Sequence, residues 1–247
     1  MDQRGKEIKG DIEEDKNALV IEYLNVRRAL GWLGVALPAI LIAYGLLPNT
    51  FFAPSISEFY YTHMGGVFVG TMCAIGVFLV SYKGYAKTDD ETLSDNVLTS
   101  GAGLFAIGVA LFPVVVESPD LAALPEVNLG IEGHPNILHF GSATGFFVLL
   151  ALMSIFQFTK SDRDDDGKII WTGDNLIFVF CGLVMIAALV ALVPYVLSDR
   201  ITEALAPYKY MFILETIGVL AFAVSWLVKG KQLGAVRAVA RMMAPVD

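Results

Sequence analysis

The chain has 247 residues, of which 55% are hydrophobic and only 17% charged, whereas soluble domains carry about 25% charged residues. Its apolar residues gather in runs of about 20, the length of helix that crosses a bilayer core of about 30 Å. That distribution excludes an ordinary soluble globule, and the lack of alternating strands of about ten residues excludes a membrane barrel; a formal net charge of −8 argues against nucleic acid as a partner.

Residues 1–28 form a charged leader without the apolar segment of a cleavable signal peptide. The first crossing then serves as the uncleaved insertion signal. Within the leader, Leu19 to Arg28 alternates apolar and charged residues at helical spacing. It reads equally as a short interfacial helix or a solvated tail.

Residues 29–228 are expected to form a transmembrane domain of six helices in one bundle, an all-α polytopic fold. The crossings are predicted at Ala29 to Leu47, His63 to Lys83 and Val97 to Val116, then Ile137 to Phe158, Asn175 to Leu197 and Lys209 to Val228. Pro38 lies inside the first, where it is expected to kink the helix, and Pro113 lies near the end of the third. In the tail, residues 229–247, the stretch Leu233 to Met243 places Arg237 and Arg241 four apart among apolar residues. That pattern suits a basic amphipathic helix on the inner leaflet.

Connections 84–96 and 159–174, both termini, and Lys83 at the end of the second crossing hold fifteen of the seventeen basic residues, leaving Arg200 and Lys209 to the opposite side. The positive-inside rule therefore predicts a cytoplasmic-membrane protein with both termini in the cytoplasm. Seven acids, Glu58, Glu117, Asp120, Glu126, Glu132, Asp199 and Glu203, give the outer connections a net charge of −5. This face could collect cations, or it is simply what the charge rule leaves behind.

Small residues recur at packing distance: Gly66 and Gly70, Gly141 and Gly145, and the stripe Ala102, Ala106, Ala110. Such spacing lets helix backbones approach closely, within the bundle or in a homo-oligomer. Cys73 and Cys181 sit in the middle of apolar runs and read as small packing residues, with no disulfide framework or cysteine metal pattern.

The stretch Pro54 to Tyr85 joins a polar, aromatic loop to a glycine-rich helix. Glu215 falls about one and a half turns into the sixth crossing, on a face with Phe222 and Trp226. A carboxyl group in hydrocarbon is costly, so it is expected to face the bundle or water. The predicted topology brings His63, His134 and His139 to the outer layer, at the depth of Ser57, Glu58 and Glu215.

The predicted ligand-binding set is Ser57, Glu58, His63, His139 and Glu215. It would line an outward-facing pocket between the second, fourth and sixth crossings, for a lipid or small ligand. Membrane lipids are the expected partners, and no cofactor or metal is assigned. The second reading is a metal-dependent lipid hydrolase in the same layer, with Glu58 or Glu215 moving protons. His134 and His139 are five apart, however, and do not make the i, i+4 pair of a helical metal site. A third reading is a proton-coupled transporter using Glu215, though no internal repeat supports it.

Two other stretches carry partial motifs. Asp162 to Asp174 begins like an EF-hand loop, but Gly173 stands where the closing bidentate acid belongs. It reads as a solvated acidic turn. Ser142, in HFGSATG, lacks the first glycine of a nucleophile elbow.

The run PSIS and its following aromatics, the glycine-bearing helix, and the later His139 to Phe147 segment with its small residues and paired phenylalanines resemble the DRAM-like family of six-helix membrane proteins. Bacterial integral membrane families of unassigned function look similar. The resemblance spans about Pro54 to Trp226 and implies a six-helix bundle with a role in lipid handling, including remodelling of lipid anchors. A more distant likeness is to the alkaline ceramidase and adiponectin receptor superfamily, which would imply zinc hydrolysis. This chain departs from that pattern in having six predicted crossings rather than seven, and no HxxxH.

Overall fold

A computed structural model describes residues 3–82, 84, 94–115, 136–160 and 171–230, with side chains from Leu24 onward. Among them all regular structure is helical. α1 runs from Gln3 to Gly45 and leads, through a short 3-10 turn at Ser57–Tyr61, into α2, Gly65–Ser81. α3 is Asp95–Leu111 and α4 is Ile137–Leu152, the latter continued by a π segment, Met153–Gln157, and a last 3-10 turn, Phe158–Lys160. α5 spans Gly173–Leu197, a short α6 spans Asp199–Leu205, and α7 spans Tyr210–Lys229.

Among the described residues, four segments are long and apolar enough to cross a membrane: Leu24–Gly45 of α1, Ile137–Lys160, α5 and α7. α2 and α3 are apolar but shorter, at 17 residues each. The leader is continuous with the first apolar segment, since α1 begins at Gln3. The stretch before it is richest in Glu, Lys, Ile and Asp, with no proline before Pro38, so no proline breaks α1 ahead of its apolar segment. The tail helix expected at Leu233 to Met243, the acidic turn at residues 162–170, His134, and Glu117, Asp120, Glu126 and Glu132 lie outside the described residues.

The bundle is apolar on its surface as well as in its core. Large apolar side chains stand exposed around it, including Ile40, Val77, Leu104, Phe180, Leu183, Val190 and Ile217. In water such a belt would drive aggregation; against hydrocarbon it is the solvated surface. A smaller set of polar groups is buried too, with clusters at the two ends. At one end Arg27 donates from Nε and Nη2 to the Tyr82 hydroxyl, at 3.0 and 2.8 Å, and Lys229 donates to the Phe158 carbonyl at 2.8 Å. The other end holds Ser55, Ser57 and His139.

Close helix approach follows the small residues, though not at every predicted position. A Cβ placed on Gly103 of α3 would lie 2.6 Å from the Gly76 carbonyl of α2. Ala102, Ala106 and Ala110 are buried between neighbouring helices. Gly145 packs against the Phe105 ring, while Gly66, Gly70 and Gly141 have open space where a side chain would stand. The α2 pair thus faces away from its own bundle. On α7, Phe222 and Trp226 are almost wholly buried, which turns the face that they share with Glu215 inward.

Candidate functional site

The connection from α1 to α2 folds down into the mouth of the bundle instead of running over it. Ala53 and Phe59 are fully buried, and Ile56 and Ser57 nearly so. Phe59 meets the Tyr44, Phe52 and Phe212 rings with centroids 5.9–6.3 Å apart. A buried loop must find partners for its backbone polar groups. Here α7 and the residue before it supply them. The Phe212 amide donates to the Pro54 carbonyl at 3.0 Å, and Lys209 Nζ donates to the Phe52 carbonyl at 2.7 Å. Glu215 accepts from the Ile56 amide at 2.5 Å.

The turn that carries Ser57 is fixed locally by Ser55 and Glu58. The Glu58 amide donates to Ser55 Oγ at 3.0 Å, and the Ser55 hydroxyl donates to the Glu58 carboxylate at 3.2 Å. This is a variant of the capping box, in which the serine hydroxyl rather than its amide reaches the acid. Burial holds the Glu58 carboxyl above the ordinary glutamate range, against the opposing pull of the Ser55 hydrogen bond and the Lys209 charge.

His139 opens α4 and is buried. Its Nδ1 lies 2.7 Å from the Phe112 carbonyl oxygen, and its Nε2 lies 3.0 Å from Ser57 Oγ. A carbonyl only accepts, so Nδ1 carries a hydrogen; the neutral ring then offers the Nε2 lone pair to the Ser57 hydroxyl. The end of α3, the start of α4 and the buried loop are thereby joined through one imidazole. Asn136, just before α4, adds a second tie by accepting from the Val115 amide at 2.6 Å.

Two cavities adjoin this group and share Ala143, Phe147 and Glu215. The smaller, about 40 Å³, lies in the bundle interior and reaches Ser57, Phe68 and Val109. The larger, about 220 Å³, is a cleft between α4, α5 and α7. Its walls are apolar, with Leu189, Leu192 and Val193 on α5, and its polar lining includes His139 and Glu215. Val193, Val196 and Leu197 line it and are also exposed on the surface of the bundle. The cleft therefore opens sideways, between helices.

Of the five residues predicted as ligand-binding, Ser57, His139 and Glu215 come together around the two cavities. Glu58 lies one residue from Ser57 but is engaged with Ser55. His63 is exposed in the turn before α2 and lines neither cavity. Among the described residues no three His, Cys, Asp or Glu side chains are grouped to hold a metal ion.

Sequence reasoning overlooked Ser55, although Ser55 and Glu58 fit the S-x-x-E capping pattern. It also overlooked the Phe112 carbonyl and the Ile56 amide, which are backbone groups with no side-chain signature. The chain matches no protein-family model, no curated protein and no solved structure.

Proposed function

We propose that this is a six-crossing membrane protein that binds the acyl chain of a lipid in the cleft between α4, α5 and α7. α2 and α3, at 17 residues each, are at the short end of spanning length and complete the six crossings. Both termini then lie in the cytoplasm, and the layer of Ser57, His139 and Glu215 lies toward the outer face. The supporting observation is the cleft: about 220 Å³, apolar-walled, open to the hydrocarbon side, with His139 and Glu215 as polar lining. A cavity of about 150 Å³ is known to hold benzene, so this one has room for a stretch of single chain. The chain would lie along Leu189, Leu192 and Val193, with its carboxyl or ester end near His139. This reading agrees with the lipid handling implied by the DRAM-like resemblance.

The test is binding of a spin-labelled stearate to the detergent-purified full chain. Immobilised label should appear at about one per chain. Val193→Trp, which fills the cleft from its exposed wall, should remove that signal while leaving the unfolding temperature near wild type. Equal binding by Val193→Trp would sink the proposal. The zinc-hydrolase version gains no support from the described residues, because no ligand group is assembled there.

A further inference from the structure

We infer that Ser57 and His139 are a nucleophile–base pair that cleaves acyl esters whose chains lie in the lateral cleft. The inference rests on the lipid-binding reading above and adds a reaction to it. Three features of the site carry it.

The first is the pair itself. A serine hydroxyl 3.0 Å from the imidazole Nε2 is within the distance that a general base needs to take its proton. The second is the orienting group. Nucleophile–base pairs need a third partner to fix the ring and its tautomer. The Phe112 carbonyl does so from 2.7 Å, holding the hydrogen on Nδ1 and leaving Nε2 free to accept.

The third is a backbone donor next to the nucleophile. The Ile56 amide, one residue before the serine, donates to the Glu215 carboxyl at 2.5 Å. A backbone amide aimed at an oxygen beside the nucleophile is the kind of donor that stabilises the oxyanion of acyl transfer. In this structure a carboxyl oxygen of Glu215 fills that position. Glu215 also borders the cleft, so an entering ester can displace it.

The proposed reaction is ordinary ester hydrolysis. Ser57 Oγ bonds to the acyl carbon as its proton passes to His139 Nε2. The ester C–O bond breaks, and the departing alcohol oxygen takes that proton. Water then attacks the acyl-serine with His139 again accepting the proton, and the fatty acid leaves as Ser57 regains its hydrogen. One ester and one water give one acid and one alcohol. Glu215 acts here as a positioning group that holds the loop and yields the Ile56 amide.

The experiment treats the full chain in detergent with dodecyl fluorophosphonate and, separately, with ethyl fluorophosphonate. Spin-labelled stearate binding is measured on the same preparations. The expected result is one phosphonyl adduct per chain, located on Ser57 by peptide mass spectrometry. The long-chain reagent should react about tenfold faster or more, since each buried CH₂ adds about 0.8 kcal/mol. His139→Gln should slow the reaction by about a hundredfold or more, and Ser57→Ala should abolish it. An unfolding temperature near wild type in both variants reports that the bundle, and with it the cleft, is still formed. If stearate binds but Ser57 takes no adduct, or if His139→Gln reacts at the wild-type rate, the nucleophile–base inference is overturned and the lipid-binding proposal stands. An adduct on Ser57 without chain-length preference or stearate binding would overturn both.

Discussion

Lys209 donates its ammonium to the carbonyl oxygen of Phe52, 2.7 Å away and 157 residues earlier in the chain. The same ammonium lies within 6 Å of the Phe51 and Phe52 ring centroids. Lys209 adopts a left-handed backbone, φ 54°, at the junction that starts α7. A lysine in that conformation carries a backbone cost of about 1 kcal/mol. The bond to Phe52 offsets it and ties α7 to the buried loop. Lys209→Met should lower stability by about 1–2 kcal/mol, allowing for partial exposure. Thermal unfolding in detergent checks this, and an unchanged midpoint would show that the tie is idle.

Glu215 holds the loop through the Ile56 backbone amide. Glu215→Ala leaves that amide without its acceptor in a buried setting. The expected loss is about 1–3 kcal/mol for an unsatisfied buried group. Glu215→Gln keeps one acceptor oxygen and should lose less. Hydrogen exchange at Ile56 separates the outcomes: its amide should exchange faster in the alanine variant. Full protection there would contradict the assigned partner.

Glu58 gives a pH signature. Its native carboxyl holds its proton to a higher pH than it would in the unfolded chain, chiefly because of burial. The folded state therefore binds more protons across the interval from the ordinary glutamate value, about 4.3, up to the raised native value. Stability from this group is full below the interval and falls as pH rises through it. Glu58→Gln should flatten that fall. Unfolding midpoints measured from pH 4 to pH 7 on both proteins would reveal it; parallel curves would refute the assignment.

Two glycines on facing helices should respond differently to the same change. Gly103→Val forces a side chain against the Gly76 carbonyl and Val80, and overpacking of this kind costs about 1–3 kcal/mol. Gly70→Val enters open space on α2 and should stay within about 0.5 kcal/mol of wild type. The comparison is made by denaturant unfolding in micelles. Equal losses at both positions would mean that α2 is turned differently about its axis.

The helical, membrane-capable character was legible because run length and charge placement are strong signals that need no knowledge of packing. α5 could be found but not oriented: it is apolar on every side, so nothing in its sequence marks the face that lines the cleft. The leader was divided from the first helix because its charges suggested solvent, yet charged residues with good helix propensity extend α1 back to Gln3. Glu215 and His139 were legible as costly polar groups in apolar segments. His63 has the same residue type at a similar predicted depth, but the turn before α2 directs it outward. The folding of Ala53 to Phe59 into the mouth depends on acceptors and donors from distant residues, Lys209, Phe212 and Glu215. No local pattern in PSISEFYY announces those partners.

The π segment at Met153–Gln157 accommodates one residue more than a regular helix would in the same length. Below it, Phe158 is anchored against Phe178 and Trp226; above it, His139 meets Ser57. Each residue of an α-helix advances the side-chain direction by about 100°. Deleting Ile155 would restore a uniform spiral and rephase the upper half by that amount, swinging the imidazole out of register with the hydroxyl. The widened turn is therefore what lets a single rod satisfy two fixed appointments at opposite ends.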